Sequence, residues 1–229
     1  MSAASSATSP VVPASSVAAL PAAPIAFAKP ADRAGELAGK PGVVRFLEVA
    51  PVRAIMVDGD GRPGETTFGA RMPGLYTTAY SLRFALKRRG VERRVGLLEG
   101  LYWTVDGTTD LDVILGPGRE TWRWTLFISL PDEASDEELA EALARGRAKV
   151  ASAVAADLRI ETFDEGAVAQ VLHLGPYAEE RATIEALNAA ISAAGLRPRG
   201  RHHELYLGDP GRSAPEKLRT LVRQPVEPA

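Results

Sequence analysis

Residues 165–210 read EGAVAQVLHLGPYAEERATIEALNAAISAAGLRPRGRHHELYLGDP, and the fold can be predicted from their pattern. It contains a strand pattern, a helix pattern closed by glycine and a second strand pattern. The same order occurs earlier in the chain, as PVRAIMVDGDG (51–61), LYTTAYSLRFALKRRG (75–90) and VGLLEGLYW (95–103). Tyr102 follows Gly90 by 12 residues, and Tyr206 follows Gly195 by 11. The repeat predicts an α+β fold: two pseudo-twofold-related strand-helix-strand units with antiparallel sheets, which form a central ligand cleft.

Strand alternation sorts the residues of the second copy between core and cleft. Each helix should cover one face of its own small sheet and leave the other face free to line the cleft. Leu205 and Leu207 should point toward the helix, so Glu204 and Tyr206 should point into the cleft. Tyr102 has the matching place in the first copy and should line the cleft as well.

The other aromatic residues are harder to place. By alternation Trp103 points to the core, although strand ends often bulge enough to change this. Tyr76 and Tyr80 lie four apart on one helix face, where they either close the cleft end or fill the core. Trp122 and Trp124 share one strand face, which is more often sheet core than ligand platform. The sequence leaves open which face of that strand meets the cleft.

The composition is that of an ordinary globular protein of 229 residues, with 45% hydrophobic and 24% charged residues. The 27 Lys and Arg balance 29 Asp and Glu, so charge gives no reason to expect direct binding to nucleic acid or an anionic membrane. No run reaches the ~18 apolar residues of a membrane span, and we expect a cytoplasmic protein. The lack of cysteine excludes disulfides, thiolate catalysis and Cys-ligated metals.

The N-terminal part of the chain differs in composition from the rest. Residues 1–30 hold 21 Ala, Ser or Pro and a single charged residue, Lys29. Prolines interrupt every apolar run, which argues against a secretory signal. We therefore predict a disordered and dispensable tail over residues 1–42, followed by one domain over residues 43–229.

Hydrophobic periodicity predicts the elements of that domain. Helices are expected at 74–89, 136–155 and 179–194, with a short one at 215–223. Strands are expected at 43–49, 52–57, 94–105, 120–130, 159–163, 167–173 and 203–207.

Motifs spread along the domain resemble those of the GyrI-like small-molecule-binding domain, from about Phe46 to Val226. They are, in order, IMVDGDG (55–61), LY (75–76) with AY (79–80), LEGLYW (98–103), WRW (122–124), LHLGPY (172–177), and HHELYLGDP (202–210) with KLRT (217–220) and RQP (223–225). Several motifs in one order are far more specific than any of them alone.

The resemblance implies a small-molecule-binding protein that needs no cofactor. The chain is similar to a stand-alone branch of the family that includes cyclopropanoid cyclopropyl hydrolases, which open the strained cyclopropane of DNA-alkylating antibiotics. Other members bind lipophilic cations as effector domains of transcription regulators. The branch usually has Trp-Trp where this chain has Tyr102-Trp103.

Glu204 is the candidate general base. It stands between apolar strand neighbours, and in an aromatic cleft the loss of water would strengthen it as a base. From the residues alone it could also be a carboxylate paired with Arg or His at a sheet edge. With the resemblance, we expect Glu204, Tyr102 and Tyr206 to be catalytic. The expected ligand-binding residues are Tyr76, Tyr80, Trp103, Trp124 and His173.

A metal site is not expected. His202-His203-Glu204 offers possible ligands, but adjacent strand residues point to opposite faces and His173 lies on another strand. His173 is better interpreted as a cleft-wall or satisfied core histidine.

Three functions remain open at this level. The first is a hydrolase that opens an electrophilic cyclopropane for detoxification or self-resistance. The second is a module that sequesters or senses lipophilic, aromatic or cationic drugs. The third is a protein that acts on another macromolecule, such as a topoisomerase. Residues 1–42 contain no helix-turn-helix pattern, which argues against a self-contained transcription regulator.

Overall fold

The computed structural model of the protein describes residues 25–61, 68–104, 122–209 and 211–229. The strands in these ranges are β1 (Arg45–Val49), β2 (Val52–Asp60), β3 (Leu98–Thr104), β4 (Trp122–Ser129), β5 (Arg159–Phe163), β6 (Gly166–Leu174), β7 (Leu196–Pro198), β8 (His202–Tyr206) and β9 (Arg219–Pro228). The α-helices are α1 (Arg33–Glu36), α2 (Met72–Arg88), α3 (Asp136–Arg147), α4 (Ser152–Asp157) and α5 (Arg181–Ala193).

The strands pair antiparallel in the order β1-β6-β9-β8-β3-β4-β2-β5, and β7 pairs with β9. This order is symmetric about the β3–β8 pair. We call β2, α2, β3 and β4 the first half, and β6, α5, β8 and β9 the second half. The predicted α+β fold with two pseudo-twofold-related units is confirmed. The halves join edge to edge through β3 and β8. Strand β1 pairs with β6 of the second half, and strand β5 pairs with β2 of the first half.

Both long helices lie on the same face of the sheet. One row of directly opposed residues crosses both halves: Val57, Leu126, Gly100, Glu204, Val222 and Val171. Directly opposed residues point to one face. The first two pack with the apolar stripe of α2, and the last two pack with that of α5. Glu204 therefore lies on the helix-bearing face, between the two helices.

The orientation of β8 differs from the prediction. Leu205 stands opposite Leu221 and packs with Leu172 on the face away from both helices. Its predicted contact with the helix is wrong, because Glu204 and Tyr206 are the helix-facing residues of this strand. The cleft lies between the helices, above the middle strands, rather than on the faces that the helices leave free.

Two predicted helices also need correction. The expected helix at 215–223 is strand β9, preceded by a single 3-10 turn at Pro215–Lys217. Thr220 and Val222 face the helices while Leu221 and Arg223 face away, which is a period of two. The expected helix at 136–155 is two helices, α3 and α4, because the backbone becomes extended at Ala151.

Leu37 and its neighbours in residues 25–42 pack on the face of the sheet that lies away from the helices, whereas Phe27 contacts Phe46 on the helix-bearing side. Ala28 forms a bridge with Leu47, and Pro41 forms one with Leu172. Helix α1 is capped by the Asp32 side chain, which accepts a hydrogen bond from the Gly35 amide. The predicted tail boundary at residue 42 is therefore wrong for this segment. The rest of the predicted tail, residues 1–24, lies outside the described residues.

An ionic ring fixes that segment to the sheet. It is a closed cycle of alternating charge, each neighbouring pair within 3.3 Å. Its members are Arg33, Glu99, His203, Glu165, Arg223 and Glu36. All except Arg33 are buried. Because Glu99 belongs to the first half and His203 and Arg223 to the second, the ring ties α1 to both halves.

Candidate active site

Three residues that the sequence selected meet on the helix-bearing face. The Tyr206 hydroxyl donates to Glu204 Oε2 at 2.8 Å, and the hydroxyls of Tyr102 and Tyr206 are hydrogen-bonded to each other. Glu204 keeps 16% of its side chain exposed, whereas Tyr102 is 3% exposed. The result is a chain of hydroxyls that ends on a carboxylate in an aromatic surrounding.

Gly100 explains how Tyr102 reaches this place. A Cβ on Gly100 would lie 2.6 Å from the Tyr102 hydroxyl, so the ring folds back over the bare backbone of the glycine. Gly100 stands directly opposite Glu204 in the β3–β8 pair. The glycine of the LEGLYW motif therefore lets a tyrosine of the first half lie beside the carboxylate of the second.

Burial is the largest cause that raises the pKa of both tyrosines, and the negative charge of Glu204 raises it further. Both hydroxyls consequently keep their protons throughout the physiological range. The Tyr206 hydroxyl donates to Glu204 and the Tyr102 hydroxyl donates to Tyr206, so neither acts as a base.

Glu180 is a functional candidate that the sequence did not single out. It precedes α5, and its side chain is 4% exposed. Burial, followed by the negative charge of Glu204, raises the pKa of Glu180 to about 9, and the nearby Thr220 offsets only part of this. At neutral pH Glu180 therefore carries a proton. Among the described residues, Glu180 Oε1 has no hydrogen-bond partner.

Tyr177, also missed from sequence, forms part of the cleft mouth. Its ring meets that of Tyr206 edge-on at 5.7 Å, and it is 40% exposed. Burial and the charges of Glu180, Glu204 and Asp209 raise the pKa of Tyr177 to about 12. The signal for these residues was the GPYAEE segment, which links β6 to the start of α5 in the second copy.

Tyr76 and Tyr80 belong to α2, on the first-half side of the cleft. Tyr76 is half-buried against the α2 core, and the charge of Asp209 adds to burial in raising the pKa of Tyr76. Tyr80 is 45% exposed, with its ring 6.4 Å from that of Tyr76. Asp209 thus acts on tyrosines of both halves, Tyr76 and Tyr177, and marks the opening between them.

Two predicted ligand-binding tryptophans have other surroundings. Trp124 shares the helix-bearing face with Tyr102 but is fully buried, with Phe68 at 4.8 Å between ring centroids. Trp103 points to the opposite face, where the Arg201 guanidinium lies 3.8 Å from its ring centroid. A place for Trp103 in this cleft is wrong, because strand β3 keeps regular alternation through Tyr102 and Trp103.

The three histidines have distinct environments. His173 is buried, with Nδ1 2.9 Å from Thr183 Oγ1 and Nε2 3.3 Å from the Pro176 carbonyl oxygen. It therefore fixes the turn before α5. His202 Nε2 lies 3.4 Å from Glu204 Oε1, on the cleft face. His203 belongs to the ionic ring on the other face.

Within the described ranges, no three His, Asp or Glu side chains are grouped so that they could hold a metal ion. Over the same ranges no helix is both long and apolar enough to cross a membrane.

Comparison with known proteins places this site in a family context. The profile of the GyrI-like small molecule binding domain matches residues 127–227. An uncharacterized conserved protein from Listeria innocua is 30% identical, with a TM-score of 0.69 over 82% of this chain and 93% of that one. A hydrolase from Listeria innocua is 27% identical, with a TM-score of 0.66 over 84% of this chain and 95% of that one.

A more distant structure shares the fold alone. The C-terminal domain of EcmrR is 10% identical, with a TM-score of 0.54 over 82% of this chain and 98% of that one. No curated protein matches the chain.

Proposed function

This chain belongs to the GyrI-like family of small-molecule-binding domains, and we propose that it is a hydrolase that adds water across an electrophilic cyclopropane of DNA-alkylating natural products. Such an activity would serve detoxification or self-resistance. The observation that carries the proposal is the Glu204 carboxylate, which is held by the Tyr206 hydroxyl at 2.8 Å in a partly buried aromatic cleft.

The chemistry of a spirocyclopropyl-dienone defines what the site must supply. Attack of water on the strained carbon breaks a ring bond, and the electron pair moves to the carbonyl oxygen as the six-membered ring becomes aromatic. A base must take a proton from the water, and a donor must stabilise the developing oxyanion.

The residues of the cleft match these needs. Glu204 is the base, because one of its oxygens is held by Tyr206 while its side chain remains partly open to the cleft. The hydroxyls of Tyr102 and Tyr206 stay protonated and are donors near it. The aromatic rings of Tyr177 and Tyr76 at the mouth would hold a flat ligand and exclude bulk water.

The similarity to a hydrolase from Listeria innocua supports a catalytic function over a function in binding alone. Sequestration or sensing of lipophilic aromatic or cationic drugs is the second candidate. It is favoured by one observation: the partly buried Glu204 and the buried Glu180 lie beside aromatic rings, a setting that would attract an organic cation.

Incubation of the purified protein with a spirocyclopropyl-dienone, followed by mass spectrometry, tests the proposal. We expect the compound to gain one water in many turnovers per protein molecule. Saturable stoichiometric binding without a hydrated product would overturn hydrolysis and leave sequestration.

A further inference from the structure

The second carboxyl group of the cleft, Glu180, is not used by the reaction as described so far. Its side chain is 4% exposed and Oε1 has no partner among the described residues. An unpartnered buried polar atom normally costs stability and is retained for a reason. Glu180 interacts with Glu204, Tyr102 and Tyr177 of the cleft, so the natural partner for this oxygen is an atom of a bound ligand.

We propose that Glu180 is the acid of the hydrolysis: it donates its proton to the ligand oxygen that receives the electron pair when the cyclopropane opens. This inference rests on the proposed hydrolase function. Glu180 is then a catalytic residue, and Tyr206 and Tyr102 hold the Glu204 carboxylate in place through their hydroxyls.

The hydrogen bonds explain why a tyrosine is less suited to this step. The Tyr206 proton is directed at Glu204, and the Tyr102 hydroxyl is bonded to Tyr206. Both tyrosines also hold their protons far more tightly than a carboxylic acid, since burial and the charge of Glu204 raise the pKa of each. Glu180 has a free oxygen and, with a pKa of about 9, still carries a proton at neutral pH.

The surroundings of Glu180 keep it protonated without binding it to a cation. Glu180 interacts electrostatically with titratable groups on several elements: Glu204 on β8, Tyr102 on β3, and Tyr177 on the turn before α5. Thr220 of β9 lies beside it. Burial, followed by the charge of Glu204, favours the protonated form of Glu180.

The proton balance closes within the pair. Glu204 takes one proton from the attacking water as the new carbon–oxygen bond forms and the cyclopropane bond breaks. Glu180 gives one proton to the phenolate oxygen, so the product leaves as a neutral phenol with an added alcohol. The proton on Glu204 then returns to Glu180, and the starting state is restored without any co-reactant.

The test compares Glu180→Gln with Glu179→Gln, a neighbouring and exposed glutamate that serves as matched control. Turnover of a spirocyclopropyl-dienone is measured from about pH 6 to about pH 10, together with its Kd. We expect parent turnover to fall on the alkaline side as the acid loses its proton. Glu180→Gln should lose about 100-fold in kcat and lose this alkaline fall, while Kd changes by less than about threefold.

Infrared difference spectra give a readout that needs no turnover. At neutral pH the parent and Glu179→Gln should show the carbonyl band of a protonated carboxyl group, and Glu180→Gln should lack it. A band unaffected by Glu180→Gln, or a variant with parental turnover and the parental alkaline fall, overturns the role of Glu180 and leaves the proposed function intact. A parent protein without turnover refutes the proposed function itself, and the role of Glu180 with it.

Discussion

The two halves share one framework but fill it differently. Trp124 stands opposite Tyr102 in the first half, and Thr220 stands opposite Tyr206 in the second. The next strand presents Gly59 to Trp124 but His173 to Thr220. In the first half the Trp124 ring packs directly over Gly59 and fills the space between the sheet and the helix. Small and polar residues leave room for acids and hydroxyls in the second.

The starts of the two long helices show the same contrast. Arg71 precedes α2 and lies over the Trp124 ring at 4.8 Å, whereas Glu180 precedes α5 and is buried beside Glu204. One helix start thus covers the core with a cation, and the other supplies an acid to the cleft. Under the proposed function, the second half would supply most of the reacting groups, and the first half would act mainly as a scaffold that contributes Tyr102.

The ionic ring links the two halves in addition to the β3–β8 pairing, and we expect the largest effect from breaking the ring. Deletion of residues 1–42 removes Arg33 and Glu36, so Arg223 and Glu99 each lose one of their two buried ionic partners and keep only Glu165 and His203, respectively. We expect a loss of ~3–5 kcal/mol in unfolding free energy, or roughly 10 °C in Tm. Deletion of residues 1–24 is the control and should leave Tm unchanged. Equal Tm values for the two deletions would contradict a structural role of the ring.

Packing of the first half can be broken at Gly59. A Cβ there would lie 2.1 Å from the fully buried Trp124 ring, which has no room to move. Gly59→Ala should therefore lower the unfolding free energy by about 2–3 kcal/mol in a denaturant titration. Gly69→Ala, where no atom lies within 4 Å of the added Cβ, is the matched control. Similar losses in both variants would show that the first half is less tightly filled than described.

The two tyrosines should respond differently to truncation. Tyr206→Ala should weaken binding of an aromatic ligand by ~1–3 kcal/mol with a smaller change in stability, because Tyr206 is only half-buried. Tyr102→Ala should cost both binding and stability, because the ring is 3% exposed and packs against Trp122. Calorimetric titration and thermal unfolding separate the two quantities. Equal stability losses in the two variants would show that Tyr206 is as much a core residue as Tyr102.

The smallest expected effect is the pH dependence of the ring. Although burial opposes the charged forms, the charge of Glu165 raises the pKa of His203, and contacts with His203 and Arg33 lower the pKa of Glu99 to about 2. The histidine contribution is complete below its ordinary pKa of 6.5 and is lost as pH rises through the raised value. The glutamate contribution is complete above 4.5 and is lost as pH falls toward 2.

The ring should therefore stabilise most between about pH 4.5 and pH 6.5. The unfolding free energy of the parent, minus that of His203→Gln, should decrease by ~1 kcal/mol as pH rises above this window. Denaturant titrations at several pH values measure the difference. A difference that stays constant would show that folding does not raise the pKa of His203.

The repeat in the sequence was enough to predict the fold class, because strand and helix periods in two copies constrain each other. Glu204, Tyr102 and Tyr206 were found through motif and alternation together. The face to which Leu205 points was predicted wrongly. The sequence does not reveal that Leu37 and its neighbours pack on the sheet face away from the helices and need apolar partners there. Strand β9 was predicted as a short helix because closely spaced charges lie in it and just before it, at Lys217, Arg219 and Arg223, and such charges are also typical of a helix surface.

Glu180 shows a different limit of sequence reasoning. Two glutamates before a helix look like ordinary favourable charges at its start. The burial of one of them depends on Thr220 and Glu204, which come from strands 40 and 24 residues farther along the chain. Such an environment arises only when the sheet has formed, and local patterns do not encode it.

The most direct test of the account is the comparison of Glu204→Gln with Glu179→Gln in turnover and affinity for one spirocyclopropyl-dienone. Glu204→Gln keeps the shape of the side chain but cannot accept a proton. We expect a loss of ~100-fold or more in turnover, with Kd within about threefold of the parent and no change for Glu179→Gln. Normal turnover by Glu204→Gln would contradict the assignment of Glu204 as the base.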